Sequence, residues 1–192
     1  MSVNLAIDIG NTRIKTGIFS GNQMVDGCIY GHDTFPGDLA KRLEKVAGNG
    51  PIYIGVANVG VKKAGKAVIQ FAETVKNAHF HSITWDSPLP VQLRYATPET
   101  LGMDRVVGVI GAQVLTGNKP TLSIDAGTAI TYDFINGENE FLGGGIAPGI
   151  TMRFRALDEF TAALPLVSAE GELKLVGDST ETAIRSGVVN GM

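Results

Sequence analysis

The sequence predicts an α/β protein whose plan is written twice. Two observations carry that expectation. Short apolar runs with strand character alternate with segments of helical spacing, and two strand ends bear the same turn, Asp8-Ile9-Gly10-Asn11-Thr12 and Asp125-Ala126-Gly127-Thr128. Each copy is a strand ending in Asp-x-Gly, a Thr-bearing turn, a returning strand, and then a Gly-Asn or Asn-Gly hairpin.

Taken in order, Val3 to Ile9 reads as a buried strand that breaks at Gly10-Asn11-Thr12 and resumes from Ile14 to Phe19. Ser20-Gly21-Asn22 turns the chain into a third strand, Met24 to Tyr30. Leu39, Leu43 and Val46 follow at helical spacing, with Asp38 at the start. Ile52 to Ala57 is a short apolar strand, Lys63 to Asn77 an amphipathic helix on Val68, Ile69, Ala72 and Val75, and Phe80 with Ile83 mark another strand. A helix is expected from Asp104 to Leu115. The second half then gives strands at Thr121 to Asp125 and Ile130 to Ile135, the hairpin Asn136-Gly137-Glu138-Asn139, a third strand from Glu140 into Gly143-Gly144-Gly145, and a helix from Ile150 to Phe160. A last helical pattern runs through Ala183, Ile184 and Val188.

Composition bounds the function. With 44% hydrophobic and 18% charged residues in 192, the chain is an ordinary globular sequence rather than a disordered one. A formal charge of −3 removes the electrostatic case for a nucleic-acid binder. No basic leader or long apolar run is visible, and Cys28 stands alone, so the expectation is a cytoplasmic protein with no membrane span, disulfide or cysteine-based metal site. The 25 glycines are nearly double the usual ~7% and call for turns, close packing or backbone that approaches a ligand.

The paired turns supply the last of these. Asp-x-Gly at a strand end aims a carboxylate and bare backbone at one spot, where consecutive N–H groups make an anion-binding nest. The Thr12 and Thr128 hydroxyls add donors, and Lys15 neutralises phosphate charge. Asp8 and Asp125, facing each other across a cleft, would hold a hydrated divalent cation on the same phosphates. Phosphoryl transfer needs this positioning and charge neutralisation more than covalent chemistry. Gly60-Val61-Lys62-Lys63-Ala64-Gly65-Lys66-Ala67 nearly spells a P-loop but ends in alanine where a hydroxyl must reach magnesium, and reads as a basic loop and helix start. His79 and His81 alternate on one strand without a third ligand, and read as surface or subunit-contact residues. His32 is alone in a turn, Phe154, Leu157 and Phe160 read as helix core, and Trp85 with Pro88 and Pro90 as a packed loop.

Asp8-Ile9-Gly10-Asn11-Thr12-Arg13-Ile14-Lys15 resembles the first phosphate motif of the type III pantothenate kinases. Asp125 to Asp133 is similar to their second, Gly102-Met103-Asp104-Arg105 to their Gly-x-Asp-Arg substrate motif, and Gly144 to Gly149 to their Gly-rich segment. Four motifs in order across residues 8 to 149 make the likeness specific. It implies the actin and sugar-kinase superfamily, with duplicated ribonuclease-H-like lobes, 1–100 and 101–192, around an interlobe nucleotide cleft.

The resemblance assigns roles as well. Asp8, Ile9, Gly10, Asn11, Thr12, Arg13, Ile14 and Lys15 would hold the phosphates of ATP with its Mg2+, and Thr128 would contact them from the other half. Asp125 would help seat a monovalent cation, K+ or NH4+. Gly102, Met103, Asp104 and Arg105 would bind pantothenate, with Asp104 as general base, Tyr95 lining the pocket, and Thr180 a further contact. The residues support this independently: an alcohol attacking phosphorus must lose its proton to a nearby base, and an arginine fork suits the carboxylate of pantothenate. The expected activity is ATP-dependent formation of 4′-phosphopantothenate, by a cytoplasmic homodimer. Two alternatives are a non-catalytic regulatory protein related to Bvg accessory factor and another phosphotransferase of the superfamily. The family usually continues past Thr180 with more strand and helix, so the chain reads as C-terminally truncated, with its adenosine pocket in question.

Overall fold

The computed structural model describes residues 2–192. Contacts group the chain into two compact units, one running to Thr121 and including Ile135–Leu142, the other comprising Leu122–Phe134 and Gly143–Met192.

The first unit is built on a five-stranded sheet of β1 (Val3–Ile9), β2 (Arg13–Ser20), β3 (Gln23–Gly31), β4 (Ile52–Asn58) and β5 (Ala78–Ser82), in the order β3-β2-β1-β4-β5. β1 is antiparallel to β2 and β2 to β3, whereas β4 runs parallel to both β1 and β5. This is the ribonuclease-H-like order that the resemblance implies. Strand alternation puts Val3, Leu5, Ile7 and Ile9 on one face, with Ile14, Ile18, Ile52, Ile54 and Val56 beside them. Helices α1 (Leu39–Ala47) and α2 (Lys62–Thr74) cover that face through Leu39, Leu43, Ala64, Val68 and Phe71. Phe35 joins them edge-on between Tyr30 and Phe71. Arg42 fastens α1 to β3 by donating to Asp26 at 2.9 and 3.0 Å and to Asp38 at 2.9 Å.

The other face of the same sheet carries a second cluster. Helix α3 (Met103–Leu115) brings Met103, Val106 and Val109 against Ala57, Val91, Leu101, Ile135 and Phe141. A two-residue strand β6 (Gln92–Leu93), too short for any period to reveal, pairs in parallel with Glu140 and Phe141 of β9 (Glu140–Pro148). With β7 (Thr121–Ala126) and β8 (Ala129–Ile135) it forms a four-stranded sheet, β6-β9-β8-β7. The run β9-β8-β7 repeats the order β3-β2-β1, which is the duplication read from the sequence.

In the second unit α4 (Ile150–Glu159) and α5 (Thr180–Val189) share a small core of Phe154, Val167, Ile184 and Val188. The irregular chain between them is tied down from α5. Arg185 donates to the carbonyls of Ser168 and Glu172, and Ser186 Oγ to that of Leu175 at 2.7 Å. Ser179 and Thr182 form a reciprocal capping box at its start.

Several sequence expectations are corrected. α2 stops at Thr74, because Val75 is extended and Asn77 turns with a left-handed φ of 57°. Ile83 lies beyond β5, although its N–H still donates to Val56. Phe154 is core, but Phe160 is 81% exposed where α4 ends, and Trp85 is half-exposed rather than packed.

Close approach explains part of the glycine excess. The Gly149 N–H donates to the Thr128 carbonyl at 3.1 Å, and a Cβ at Gly149 would press on the carbonyls of Gly127 and Thr128. Gly149→Ala should therefore cost about 1–3 kcal/mol by overpacking against rigid backbone. Gly108, in α3 with open space around it, should gain about 0.5–1 kcal/mol as alanine. Thermal melts of the two variants should shift in opposite directions. A Gly149→Ala protein melting like the parent would contradict the close approach.

Candidate active site

The first Asp-x-Gly turn is a closed hairpin tip. Ile9 pairs with Ile14 and Asp8 with Lys15 in register, and the Gly10 N–H donates to the Arg13 carbonyl at 3.0 Å. Ile9 and Ile14 are fully buried, so these two residues offer an anion only their backbone. Asn11, Thr12 and Arg13 are exposed at the tip. Lys15 Nζ stands 3.7 Å from Asp8 Oδ2, a loose pair with 55% of the lysine side chain exposed. An exposed pair of this kind is worth about 0–1 kcal/mol, so Lys15 can turn to a phosphate at little cost.

Register ties this hairpin to the Gly-x-Asp-Arg segment. Asp8 lies beside Ala57 in the parallel β1–β4 pair, and Ala57 belongs to the cluster that receives Met103 and Val106. Asp8 thus emerges on the face of the sheet that α3 covers, opposite the α1–α2 face. Gly102 caps α3, Met103 is its buried anchor, and Asp104 is half-buried in its first turn, where the helix dipole favours a carboxylate. A Cβ on Gly102 would stand 2.5 Å from Asp104 Oδ1, so glycine makes room for that carboxylate. Arg105 is only 8% exposed, with its guanidinium 5.9 Å from the centre of the Tyr95 ring. Tyr95 in turn leans on the buried Phe141 at 6.1 Å.

The second unit repeats the hairpin tip with a shorter turn. The Gly127 N–H donates to the Ala129 carbonyl at 2.9 Å, leaving Asp125 and Thr128 exposed. Gly149 seats the N-terminus of α4 directly on Gly127 and Thr128. That places the positive end of a helix dipole beside the second motif. Thr180 is exposed as the first residue of α5.

The P-loop-like stretch and the histidines have other partners. In the P-loop-like stretch, Asn58 Oδ1 already accepts from the N–H groups of Gly60 and Val61 at 3.0 Å each, so those donors do not face an anion. His79 is exposed and stacked on Tyr53, ring centres 5.0 Å apart, while His81 Nε2 lies 3.3 Å from Ser87 Oγ. Among the described residues no group of three or more His, Cys, Asp or Glu side chains gathers as for a metal, and no helix is long and apolar enough to cross a membrane. His32, expected to stand alone in a turn, instead contacts the first hairpin: its Nε2 is 3.0 Å from the Gly10 carbonyl oxygen. Next to it, the Lys63 ammonium 3.0 Å from Asp33 holds that carboxyl below the usual carboxylate range. Nothing in the sequence flags a contact that spans 22 residues.

A family model described as type III pantothenate kinase matches residues 4–192. Curated proteins of that name are similar to the chain throughout. One from Bacteroides fragilis is 41% identical over 99% of the chain and 75% of its own length. One from Phocaeicola vulgatus is 39% identical over 99% and 76%, and one from Flavobacterium johnsoniae 38% over 97% and 74%. Among solved structures, YeaZ from Pseudomonas aeruginosa aligns with 88% of the chain and 75% of its own at a TM-score of 0.44 and 14% identity. On the family match and these relatives, the chain belongs to the type III pantothenate kinase family.

Proposed function

We propose that this chain phosphorylates pantothenate with ATP, giving 4′-phosphopantothenate and ADP, the first step of coenzyme A synthesis. The observation that carries the reading is the shared sheet face: register puts the Asp8 end of the first hairpin on the side covered by α3, whose first turn bears Asp104 and Arg105.

In the reaction, the hairpin backbone and Lys15 hold and neutralise the phosphates. Arg105, buried and oriented by Tyr95, clamps the pantothenate carboxylate in a two-point fork. Asp104 accepts the proton of the primary hydroxyl as its oxygen bonds to the γ-phosphorus, the bond to the β-phosphate oxygen breaks, and ADP leaves. Thr128 contributes a phosphate contact from the second motif, and Thr180 a contact to pantothenate. The hard carboxylate oxygens of Asp8 fit a hydrated Mg2+, which would neutralise charge on the phosphates it accompanies. Asp125, exposed beside the α4 N-terminus, is assigned to a monovalent cation, K+ or NH4+. We further read the chain as two ancestral lobes, 1–100 and 101–192, acting as a cytoplasmic homodimer with no nucleic-acid or membrane partner. Against a purely regulatory role stands the intact Asp104–Arg105 pair. Against a sugar kinase stands an arginine clamp, which a neutral sugar does not need.

Asp104→Asn keeps size and hydrogen bonding but removes the proton acceptor. It should lower kcat by about 10²- to 10⁴-fold, or ~3–5 kcal/mol of barrier, at nearly constant pantothenate binding. Arg105→Ala should mainly weaken pantothenate binding. Full turnover by Asp104→Asn would sink the assigned base.

Exchange of potassium for sodium should sharply lower the rate. The larger ion suits longer oxygen contacts, and equal rates in both salts would remove the cation from Asp125.

A further inference from the structure

His32 follows directly on β3, and its Nε2 lies 3.0 Å from the Gly10 carbonyl oxygen in a partly buried contact. A carbonyl only accepts, so Nε2 carries the proton and donates. The loop bearing the imidazole is held from several sides. The Gly31 carbonyl accepts from the N–H groups of Thr34 at 3.2 Å and Phe35 at 3.1 Å, and Thr34 Oγ1 accepts from the Gly31 N–H at 2.9 Å. Phe35 is anchored in the core at 8% exposure, whereas the neighbouring Asp33–Lys63 pair is solvated and adds little hold. The donor is therefore presented by a fixed frame.

What that donor fixes follows from peptide geometry. The carbonyl of Gly10 and the N–H of Asn11 belong to one planar trans peptide and point in opposite directions. Glycine leaves this peptide freer to rotate than any other residue would. The Gly10 N–H, committed to Arg13, holds one side of the residue, and His32 holds the other. With the carbonyl turned to His32, the Asn11 N–H must point away from it.

We propose that His32 is a positioning residue for the nucleotide: it locks the Gly10–Asn11 peptide so that the Asn11 N–H faces the phosphates of ATP. The proposal rests on the reading of residues 8–15 as the phosphate hairpin. His32 acts through the backbone, as a switch that keeps one anion-binding donor turned the right way.

The test compares His32→Leu, His32→Gln, His32→Asn and Lys15→Ala with the parent. Binding of ATP and of inorganic tripolyphosphate is measured by calorimetry, KM for each substrate by steady-state kinetics, and folding by thermal melting. Gln can place an amide nitrogen where Nε2 stands, whereas Asn is one carbon too short. Leu and Asn should weaken both phosphate ligands and raise KM for ATP by about tenfold, the scale of one hydrogen bond to a charged group, and Gln should restore the parent values. KM for pantothenate and kcat at saturating ATP should stay unchanged. Parent-like binding by Leu and Asn, with Lys15→Ala weakened, would overturn the role of His32 and leave the hairpin standing. Parent-like binding by Lys15→Ala as well would overturn the hairpin reading and this proposal with it. A uniform rise in KM for both substrates, tracking a lowered melting temperature, would mean a merely structural role. Should His32→Leu fail to fold, the Gln and Asn variants decide alone: equal affinity in the two would overturn the proposal.

Discussion

The alternation of side chains along β1 is the constraint on which the first unit depends. Val3, Leu5, Ile7 and Ile9 are all buried against α1 and α2, at 0–2% exposure. Because the period is two, burying that set turns Asp8 to the opposite face, and no slip of register keeps both. Parallel pairing with β4 then sets Asp8 beside Ala57, and Ala57 is where α3 docks. The apolar core and the polar end of the site are thus two consequences of one alternation. A shift by one residue would expose the isoleucines and bury the carboxylate together.

The second unit reaches a similar hairpin by a different device. β7 is mostly exposed, so its alternation does less to direct Asp125. Backbone proximity takes over, with Gly149 set against Gly127 and Thr128 and the Gly149 N–H bonded to the Thr128 carbonyl. A side chain at Gly149 would push α4 off the motif. A helix terminus needs such a contact to bring its dipole and free N–H groups onto an anion beside a strand turn.

Much of this was legible in the sequence. β1, β2, β4 and α3 stand within a residue or two of their expected bounds, since each buries a regular apolar pattern; β3 does so as well, although Tyr30 is the one residue it buries. The two Asp-x-Gly turns and the Gly-x-Asp-Arg segment were visible as motifs, and the structure puts the first turn and that segment on a common face. Other features left no local trace. β6 is two residues long and exists because Phe141 offers it a partner. Phe160 looks like a core position in the helical pattern, yet α4 has ended beneath it. His32 carries no motif at all, because its contact is made by the fold of β3 against the first hairpin, where Arg13 pairs with Gly31. Long-range pairing decides such residues, and periodicity does not report it.

If one chain joins a phosphate hairpin to an acceptor site for pantothenate, the identity of the product reports it without intermediaries. The purified protein, incubated with ATP, Mg2+, potassium and pantothenate, should release ADP in step with a new phosphomonoester on the primary alcohol, seen by phosphorus NMR and mass spectrometry. ADP release that ignores pantothenate, or a phosphate found on another acceptor, would show that the hairpin and the Asp104–Arg105 segment do not serve one reaction on pantothenate.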